Sequence, residues 1–244
     1  MRSRSGPRSA GESLNPVEIQ REALRVLRSN LEVALSDLEN PIVIVTSPNA
    51  GEGKTSTCVP LAQLLAAGGT RAVLVDLDLR HPDAHRLLDA PNEVGVADVL
   101  LGRSVVEDAL QYIPLSQTTG LYFLPTGSPV ANPTELLGTS RTVTLLQALA
   151  QQADIVLVDT APVLPVADTL VVGRLAAGAL LVVETRRTAV PAALRAKEAL
   201  IRNQTRILGV VLNRMRAQDA SFAYGYSYGY GDAATNGEQV PEFE

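Results

Sequence analysis

The feature that most constrains the fold is a run of four β-branched residues, Ile42–Val45, that leads into a glycine-bearing stretch, Ser47–Thr55. A continuous apolar run of this kind predicts a strand that is buried on both faces of a sheet. The stretch ends in Gly53-Lys54-Thr55, and a helical pattern follows over roughly 54–67. Backbone N–H groups that glycines expose at the start of a helix favour anions, so we expect a polyphosphate to bind here.

Similar apolar runs recur along the chain, and helical segments separate most of them. Gly68 and Gly69 end the first of these helices, while Asn15 and Pro16 predict the start of another helix ahead of the first strand. Strands separated by helices are typical of a parallel sheet that helices cover on both faces. We therefore predict an α/β fold with a doubly wound, mostly parallel sheet. Its further strands are predicted at 72–75, 121–124, 155–158, 180–183 and 207–212, and the N-terminal helix carries a stripe of Leu24, Leu27, Leu31, Leu35 and Leu38.

The composition restricts the class of protein. The 244 residues suit one sizeable α/β domain, and 46% hydrophobic with 19% charged residues is a globular composition. A net charge of −5 gives no reason to expect nucleic acid as a partner. The single cysteine, Cys58, excludes an intramolecular disulfide and fits a reducing compartment. Because no apolar stretch approaches the ~20 residues of a membrane span, we expect a cytoplasmic protein.

The two ends of the chain differ in composition from its middle. Residues 1–14 are rich in Ser, Gly and Arg and predict a flexible arm. The predicted domain spans 15–216, and beyond it 217–244 predicts a disordered tail with no periodic apolar face. This tail holds four of the chain's six tyrosines, namely Tyr224, Tyr226, Tyr228 and Tyr230.

Three acidic residues follow predicted strands. Asp76 and Asp78 come after the strand at 72–75, and Asp159 comes after the strand at 155–158. Ligands bind at the carboxyl ends of the strands in an open parallel sheet, so we expect these carboxylates to converge near Lys54.

The glycine-bearing stretch departs from the strict phosphate-loop pattern, because Pro48 stands where that pattern has its first glycine. We therefore expect a P-loop NTPase fold with a deviant Walker loop. Lys54 would reach the β- and γ-phosphates, and the hydroxyl of Thr55 would bind Mg²⁺.

Several stretches resemble the bacterial tyrosine kinases that control the polymerisation and export of capsular and exopolysaccharides. Asp76–Pro82 resembles their second Walker motif, Thr46–Thr55 their phosphate loop, and Val156–Pro162 their Walker B motif. Two more stretches are similar to characteristic parts of the family. One is Asn92–Gly102, and the other is Gly127–Pro129 followed by Asn132–Leu137. The whole resemblance runs from about Glu22 to Tyr230.

This resemblance implies an ATP-dependent protein-tyrosine kinase that uses Mg²⁺. It implies that Lys54 holds the phosphates, that Asp76 accepts the proton of the tyrosine hydroxyl, and that Asp78 and Asp159 hold Mg²⁺ through waters together with Thr55. Asn213 is expected to read the adenine edge by similarity to related nucleotide folds, although an Asn at this place is equally a turn former. The ATP-binding residues would be Ala50, Gly51, Glu52, Gly53, Lys54, Thr55, Ser56 and Asn213.

The resemblance also implies how the kinase assembles and what it modifies. Glu22, Arg25 and Arg28 match a family motif that mediates ring-like self-assembly; from their spacing alone, a solvated flank with an ion pair is the alternative. The tail tyrosines would be the autophosphorylation sites, modified between subunits. The expected partners are a second copy, a transmembrane activator and exogenous protein substrates. The activator would hold the cytoplasmic protein at the membrane.

Two other functions remain open at this level. One is a partitioning or site-selection ATPase, a switch that dimerises on ATP; such proteins carry an extra lysine near the start of the loop, where this chain has Asn49. The other is an adaptor that binds ATP without turnover, which the substitutions at Ala50 and Ala161 allow.

Overall fold

A computed structural model describes residues 16–38 and 41–216 of the chain. The compact unit that carries the sheet is Leu24–Arg214. A second unit comprises Met1–Ala23 and Met215–Glu244, of which 16–23, the first turns of a helix, and 215–216 are described.

Strands and helices alternate along most of the chain. The strands are β1 (Ile42–Thr46), β2 (Ala72–Asp76), β3 (Gln111–Pro114), β4 (Gly120–Leu124), β5 (Ile155–Asp159), β6 (Gly178–Glu184) and β7 (Ile207–Asn213). The helices are α1 (Pro16–Leu35), α2 (Lys54–Ala67), α3 (Ala84–Leu87), α4 (Val96–Leu100), α5 (Val106–Ala109), α6 (Pro133–Leu137), α7 (Ser140–Gln152), α8 (Asp168–Gly173) and α9 (Val190–Arg202).

The seven described strands form one sheet in the order β3-β4-β2-β5-β1-β6-β7. All neighbouring pairs are parallel except β3 and β4, which form an antiparallel hairpin at one edge. The predicted doubly wound, mostly parallel sheet is thus confirmed. Because β1 lies between β5 and β6, and β5 lies between β1 and β2, the loops that follow β1, β2 and β5 emerge side by side at the carboxyl edge.

The sheet separates two apolar cores, and alternate strand residues point into each of them. Ile42 and Ile44 pack with the core on the α7 and α9 side, whereas Val43 and Val45 pack with α1 and α2. Leu31 anchors α1 in the second core with 2% of its surface exposed. A strand buried on both faces needs apolar residues at every position, which explains the continuous runs in the sequence.

Two details differ from the sequence-based expectation. The strand β3 was not predicted, because it is a four-residue edge strand whose residues alternate between half-buried and exposed and which ends in Pro114. Helix α1 ends at Leu35, so Leu38 lies in the turn that follows, where its N–H binds the Leu35 carbonyl. Neither change affects the carboxyl edge of β1, β2 and β5.

Candidate nucleotide site

The predicted phosphate loop connects β1 to α2. Gly51 and Gly53 adopt φ values of +80° and +93°, in the left-handed region that favours glycine. A Cβ on Gly53 would also lie 1.9 Å from Nδ2 of Asn213. Gly53 occupies the N-cap of α2, and its carbonyl accepts bonds from the N–H of Thr57 and the hydroxyl of Ser56. The loop therefore presents its free backbone N–H groups at the start of a 14-residue helix, as an anion site requires.

Glu52 fixes the loop from within. Its side chain lies among the buried polar residues, and its carboxylate accepts bonds from the Asn49 N–H at 2.9 Å and the Asn49 side-chain amide at 3.1 Å. A third bond comes from the Thr188 hydroxyl at 2.7 Å. Asn49 stands at the position where a partitioning ATPase would carry its extra lysine. In this chain the Asn49 side chain binds Glu52 instead and helps to shape the loop.

Lys54 and the predicted acidic residues converge at the first turn of α2, as expected. Nζ of Lys54 donates to Oδ2 of Asp78 at 2.6 Å. In this ion pair the side chain of Lys54 is 11% exposed and that of Asp78 is 2% exposed. Burial lowers the pKa of Lys54, but the nearby charges of Asp159 and Asp78 outweigh it and raise this pKa. The ammonium group therefore stays charged inside the protein and neutralises part of the acidic cluster.

The other two carboxylates are fully buried. Burial raises the pKa of Asp159 to about 6, although Lys54 and the Thr55 hydroxyl act in the opposite direction. Within the described residues, neither carboxylate oxygen of Asp159 has a hydrogen bond of ordinary geometry. Burial, and then the charge of Asp159, raise the pKa of Asp76 well above its usual value. Each Asp76 oxygen accepts a backbone N–H, from Asp78 at 3.1 Å and from Ala84 at 3.3 Å.

These residues fit a Mg²⁺ ion that arrives with a nucleotide. Magnesium takes oxygen ligands, and it is usually held by one or two carboxylates with waters and phosphate oxygens. The carboxylate of Asp159, the carboxylate of Asp78 and the hydroxyl of Thr55 supply oxygens of that kind, and the two buried oxygens of Asp159 keep acceptor capacity that a cation could use. In the described part of the chain, no group of three metal-binding side chains is arranged to hold an ion by itself.

A cavity of about 620 Å³ opens over the phosphate loop. The loop after β2 forms the facing wall, and Pro162 after β5 and Arg214 after β7 close the sides. Its volume lies within the range of small-molecule sites. Its lining comprises Ala50, Gly51, Gly53, Lys54, Thr55, Ser56, Asp78, Arg80, His81, Pro82, Asp83, Arg86, Pro162 and Arg214.

Arg80 holds the facing wall in place, a role that the sequence did not reveal. Its guanidinium binds both oxygens of the buried Asp168, at 2.7 and 3.1 Å, and the hydroxyl of Thr134 at 3.0 Å. The Thr134 hydroxyl also donates to Asp168. The pairing joins the motif after β2 to α6 and α8. The sequence pattern did not indicate a role for Asp168, because its partner Arg80 lies 88 residues away.

Asn213, the predicted adenine-reading residue, lies against the phosphate loop at the end of β7. Its Nδ2 donates to the Glu52 carbonyl at 3.0 Å, and its Oδ1 accepts the Arg214 N–H at 2.9 Å. Both polar atoms of the side chain are therefore engaged within the protein.

The two characteristic stretches of the family resemblance meet each other beside the sheet. The carboxylate of Asp98 accepts bonds from the Ser128 N–H at 3.0 Å, the Ser128 hydroxyl at 2.7 Å and the Gly95 N–H at 3.1 Å. Oδ1 of Asn92 accepts the Gly127 N–H at 2.9 Å. A Cβ on Gly95 would lie 2.2 Å from the Pro125 carbonyl oxygen, so the two backbones touch. These stretches act as a structural joint rather than as part of the cavity lining.

The residues predicted for self-assembly, Glu22, Arg25 and Arg28, all lie on α1. Arg25 is exposed. Arg28 is half-buried, and it binds Glu32 at 2.7 Å and the Leu64 carbonyl near the end of α2 at 3.4 Å. Arg28 thus has a structural contact within the chain in addition to any role between copies. The predicted acceptors Tyr224, Tyr226, Tyr228 and Tyr230 lie outside the described residues.

No helix in the described ranges combines the length and the apolar character that crossing a membrane requires.

Comparison with known proteins identifies relatives of this chain. A family model described as an AAA domain matches residues 41–205. The tyrosine-protein kinase YwqD of Bacillus subtilis is 36% identical over 217 residues, which cover 89% of this chain and 90% of YwqD. The tyrosine-protein kinase Etk of Escherichia coli is 32% identical over 212 residues, which cover 87% of this chain and 29% of Etk. The chain therefore spans nearly the whole of YwqD and less than a third of the longer relative.

Solved structures show the same fold. The kinase domain of E. coli Etk matches with a TM-score of 0.75 and 28% identity, over 86% of this chain and 85% of that domain. The cell division ATPase MinD of Pyrococcus furiosus matches with a TM-score of 0.61 and 24% identity, over 76% of this chain and 80% of that protein. At that identity, the second match shows a shared fold alone.

Proposed function

The chain belongs to the bacterial tyrosine-protein kinases and is a protein-tyrosine kinase, and from this premise we propose that it transfers the γ-phosphate of ATP to tyrosines in its own C-terminal tail. The observation that carries the proposal is the convergence of Lys54, Asp78 and Asp159 at the phosphate loop. The acceptors would be Tyr224, Tyr226, Tyr228 and Tyr230.

Positioning and charge neutralisation account for most of the catalysis in phosphoryl transfer. The backbone N–H groups from Ala50 to Ser56 would cradle the phosphates at the positive end of α2. Lys54 would leave the carboxylate of Asp78 and bind the β- and γ-phosphates instead. This is a short movement for a flexible side chain that already lines the cavity. Asn213, at the rim beside Arg214, is the proposed contact to the adenine edge, once its amide leaves the Glu52 carbonyl.

Thr55, Asp78 and Asp159 are the proposed holders of Mg²⁺, which when bound would neutralise the negative charge that develops during transfer. Ionised carboxylates are needed for this. Because burial raises the pKa of Asp159 to about 6, this side chain is mostly ionised at neutral pH and becomes protonated in mild acid.

Asp76 is the proposed base for the tyrosine hydroxyl. The transfer forms a bond between the phenolic oxygen and the γ-phosphorus, breaks the bond to the ADP oxygen, and passes the phenolic proton to the carboxylate. The raised pKa of Asp76 favours proton acceptance, since a tyrosine hydroxyl has a pKa near 10 and is a weak acid. In the described conformation Asp76 is fully buried and its oxygens bind the N–H groups of Asp78 and Ala84, so these contacts must open for the acceptor to reach it.

We further propose transfer between subunits of a ring-like assembly organised by Glu22, Arg25 and Arg28, with a membrane-spanning activator and exogenous proteins as additional partners. Control of capsular or exopolysaccharide polymerisation and export is the proposed role, and the family resemblance supports it. Peripheral attachment to the membrane through the activator would follow.

Mass spectrometry of the tail tests the central proposal. Purified wild-type and Lys54→Met proteins are each incubated with Mg-ATP, together with the cytoplasmic segment of an activator, and their tail peptides are mapped. We expect phosphate on positions 224–230 of the wild type alone. A wild type that hydrolyses ATP while its tail stays unmodified would instead identify an ATPase switch.

A further inference from the structure

We propose that Thr188, in the turn between β6 and α9, is a positioning residue for the phosphate loop and thereby for nucleotide affinity. The proposal rests on the nucleotide site described above and extends it to a segment that does not line the cavity. Nothing in the sequence singled out this residue, because its partner Glu52 lies 136 positions earlier.

The Thr188 hydroxyl joins two parts of the structure. It donates to Oε1 of Glu52 at 2.7 Å and accepts the backbone N–H of Glu184 at 3.0 Å. A hydroxyl serves as donor and acceptor at once, so one small side chain connects the end of β6 to the loop. Valine has the same shape without this capacity.

Thr188 itself is held rigidly. Its N–H binds the Glu184 carbonyl at 3.0 Å, which closes a tight turn at the end of β6. Thr185 in the same turn binds the Asn213 carbonyl through both its N–H at 3.0 Å and its hydroxyl at 3.1 Å. The turn is therefore anchored to β7 and can serve as a fixed support.

The supported residue, Glu52, lies at the centre of the phosphate loop. Glu52 stands between the two left-handed glycines, Gly51 and Gly53, whose backbone shapes the anion site. Asn49 belongs to the same loop and would move with Glu52, whereas Thr188 binds the carboxylate from outside the loop. The Asn213 amide holds the Glu52 carbonyl from the other side at 3.0 Å.

Removal of the Thr188 hydroxyl would leave a buried carboxylate with one donor fewer. A buried charged group that loses a partner shifts towards water or draws in a solvent molecule. Either response moves the peptide units beside Gly51 and Gly53, whose N–H groups must all point at the phosphates at the same time. Nucleotide affinity should therefore fall even though Thr188 does not itself contact the nucleotide.

Calorimetric titration of the full chain with Mg-ADP tests this inference, with Thr188→Val and Thr188→Ser as a matched pair. We expect Thr188→Val to weaken binding about tenfold and Thr188→Ser, which keeps the hydroxyl, to stay within about twofold of wild type. A double-mutant cycle with Glu52→Gln should show that the two losses are not additive. Thermal melting of the nucleotide-free proteins identifies any variant that fails to fold.

The outcomes separate the two levels of the proposal. A wild type without affinity for Mg-ADP would overturn the nucleotide site and this inference with it. A folded Thr188→Val protein that binds like wild type, or a Thr188→Ser protein as weak as Thr188→Val, would overturn only the role of Thr188. Should Thr188→Val melt earlier and yet bind with unchanged affinity well below its melting temperature, the residue would be a structural support alone.

Discussion

Lys54 donates a hydrogen bond to Asp78 at 2.6 Å, with both side chains nearly excluded from water. The lysine expected to hold phosphates is thus engaged with a carboxylate expected to hold Mg²⁺. Both expected roles require this pair to separate when a nucleotide and Mg²⁺ bind. Nucleotide binding should therefore proceed as an exchange in which Lys54 leaves the acidic cluster as positive charge arrives with the ligand.

The substitution Asp78→Asn tests this exchange. The amide releases Lys54, so ADP without Mg²⁺ should bind about three- to tenfold more tightly than to wild type, whereas the gain in affinity on adding Mg²⁺ should shrink. Calorimetric titration with ADP, in EDTA and in Mg²⁺, measures both quantities. Asp83→Asn is the control, because Asp83 is an exposed carboxylate that lines the same cavity. Equal effects of the two substitutions would mean that charge in the cavity, and not the pair with Lys54, sets the affinity.

Transfer between subunits should be visible in mixtures of two variants. One chain carries Lys54→Met and an intact tail, and the other is active with its four tail tyrosines changed to Phe. We expect phosphate on the tail of the Lys54→Met chain, detected by mass spectrometry. Adding Arg25→Ala to the acceptor chain should suppress it. A tail that stays unmodified in every mixture would restrict transfer to the chain's own site.

The arginines of α1 should differ in their effects on assembly and on stability. Arg25 is exposed, so Arg25→Ala should reduce the assembled mass in light scattering while changing the free energy of unfolding by less than about 0.5 kcal/mol. Arg28→Ala should also destabilise the protein, by about 0.5–1 kcal/mol, because it removes the bonds to Glu32 and the Leu64 carbonyl. Arg21→Ala is the matched surface control. Unchanged mass in Arg25→Ala would remove this helix from the proposed interface.

Gly95 should not accept a side chain. A Cβ there would lie 2.2 Å from the Pro125 carbonyl and 2.4 Å from the Gly127 nitrogen, and both are backbone atoms that cannot turn away. Gly95→Ala should therefore lower the free energy of unfolding in urea by about 3 kcal/mol or more. Gly209→Ala is the control, since the nearest atom there is a side-chain carbon at 3.8 Å. Similar losses for both variants would contradict the close contact at Gly95.

Asp98 should contribute a pH-dependent part of the stability. Burial raises its pKa, but the bonds from Ser128 and Gly95 outweigh this and lower it below the ordinary 3.8. A lowered pKa in the folded state stabilises the protein above the unfolded value, and the contribution is lost as the pH falls through the folded value. Asp98→Asn should thus cost about 1 kcal/mol at pH 7, and the difference from wild type should narrow below about pH 4. Denaturation at several pH values measures this.

The exposed Asp108→Asn on α5 controls for the overall loss of negative charge. A constant difference between Asp98→Asn and wild type from pH 7 down to pH 3 would mean that the carboxylate is not selectively stabilised in its ionised form.

Much of the fold could be predicted because the five central strands are apolar at nearly every position. Runs such as Ile42–Val45 arise only where both faces are covered, so the sequence alone locates them. The edge strand β3 could not be found in this way, since half of its positions face solvent. Its hydrogen bonds to β4, and not its side chains, define it.

The acidic strand ends and Lys54 could likewise be predicted, because local motifs place them at the carboxyl edge of the sheet. The residues that hold the site in place could not be predicted. Thr188 reaches Glu52 across 136 positions, and Arg80 reaches Asp168 across 88. Isolated polar residues in loops have no pattern until the fold brings their partners together.

The joint between Gly95 and Gly127 also bears on protein engineering. The bonds from Gly127 to Asn92 and from Ser128 to Asp98 join the chain segments that precede and follow the β3–β4 hairpin. The turn of this hairpin, at Gln117, is exposed to solvent. A fluorophore or an affinity tag inserted at that turn would lengthen a loop whose flanking segments are already joined by these hydrogen bonds. The hairpin tip is therefore a suitable attachment point for following assembly without disturbing catalysis.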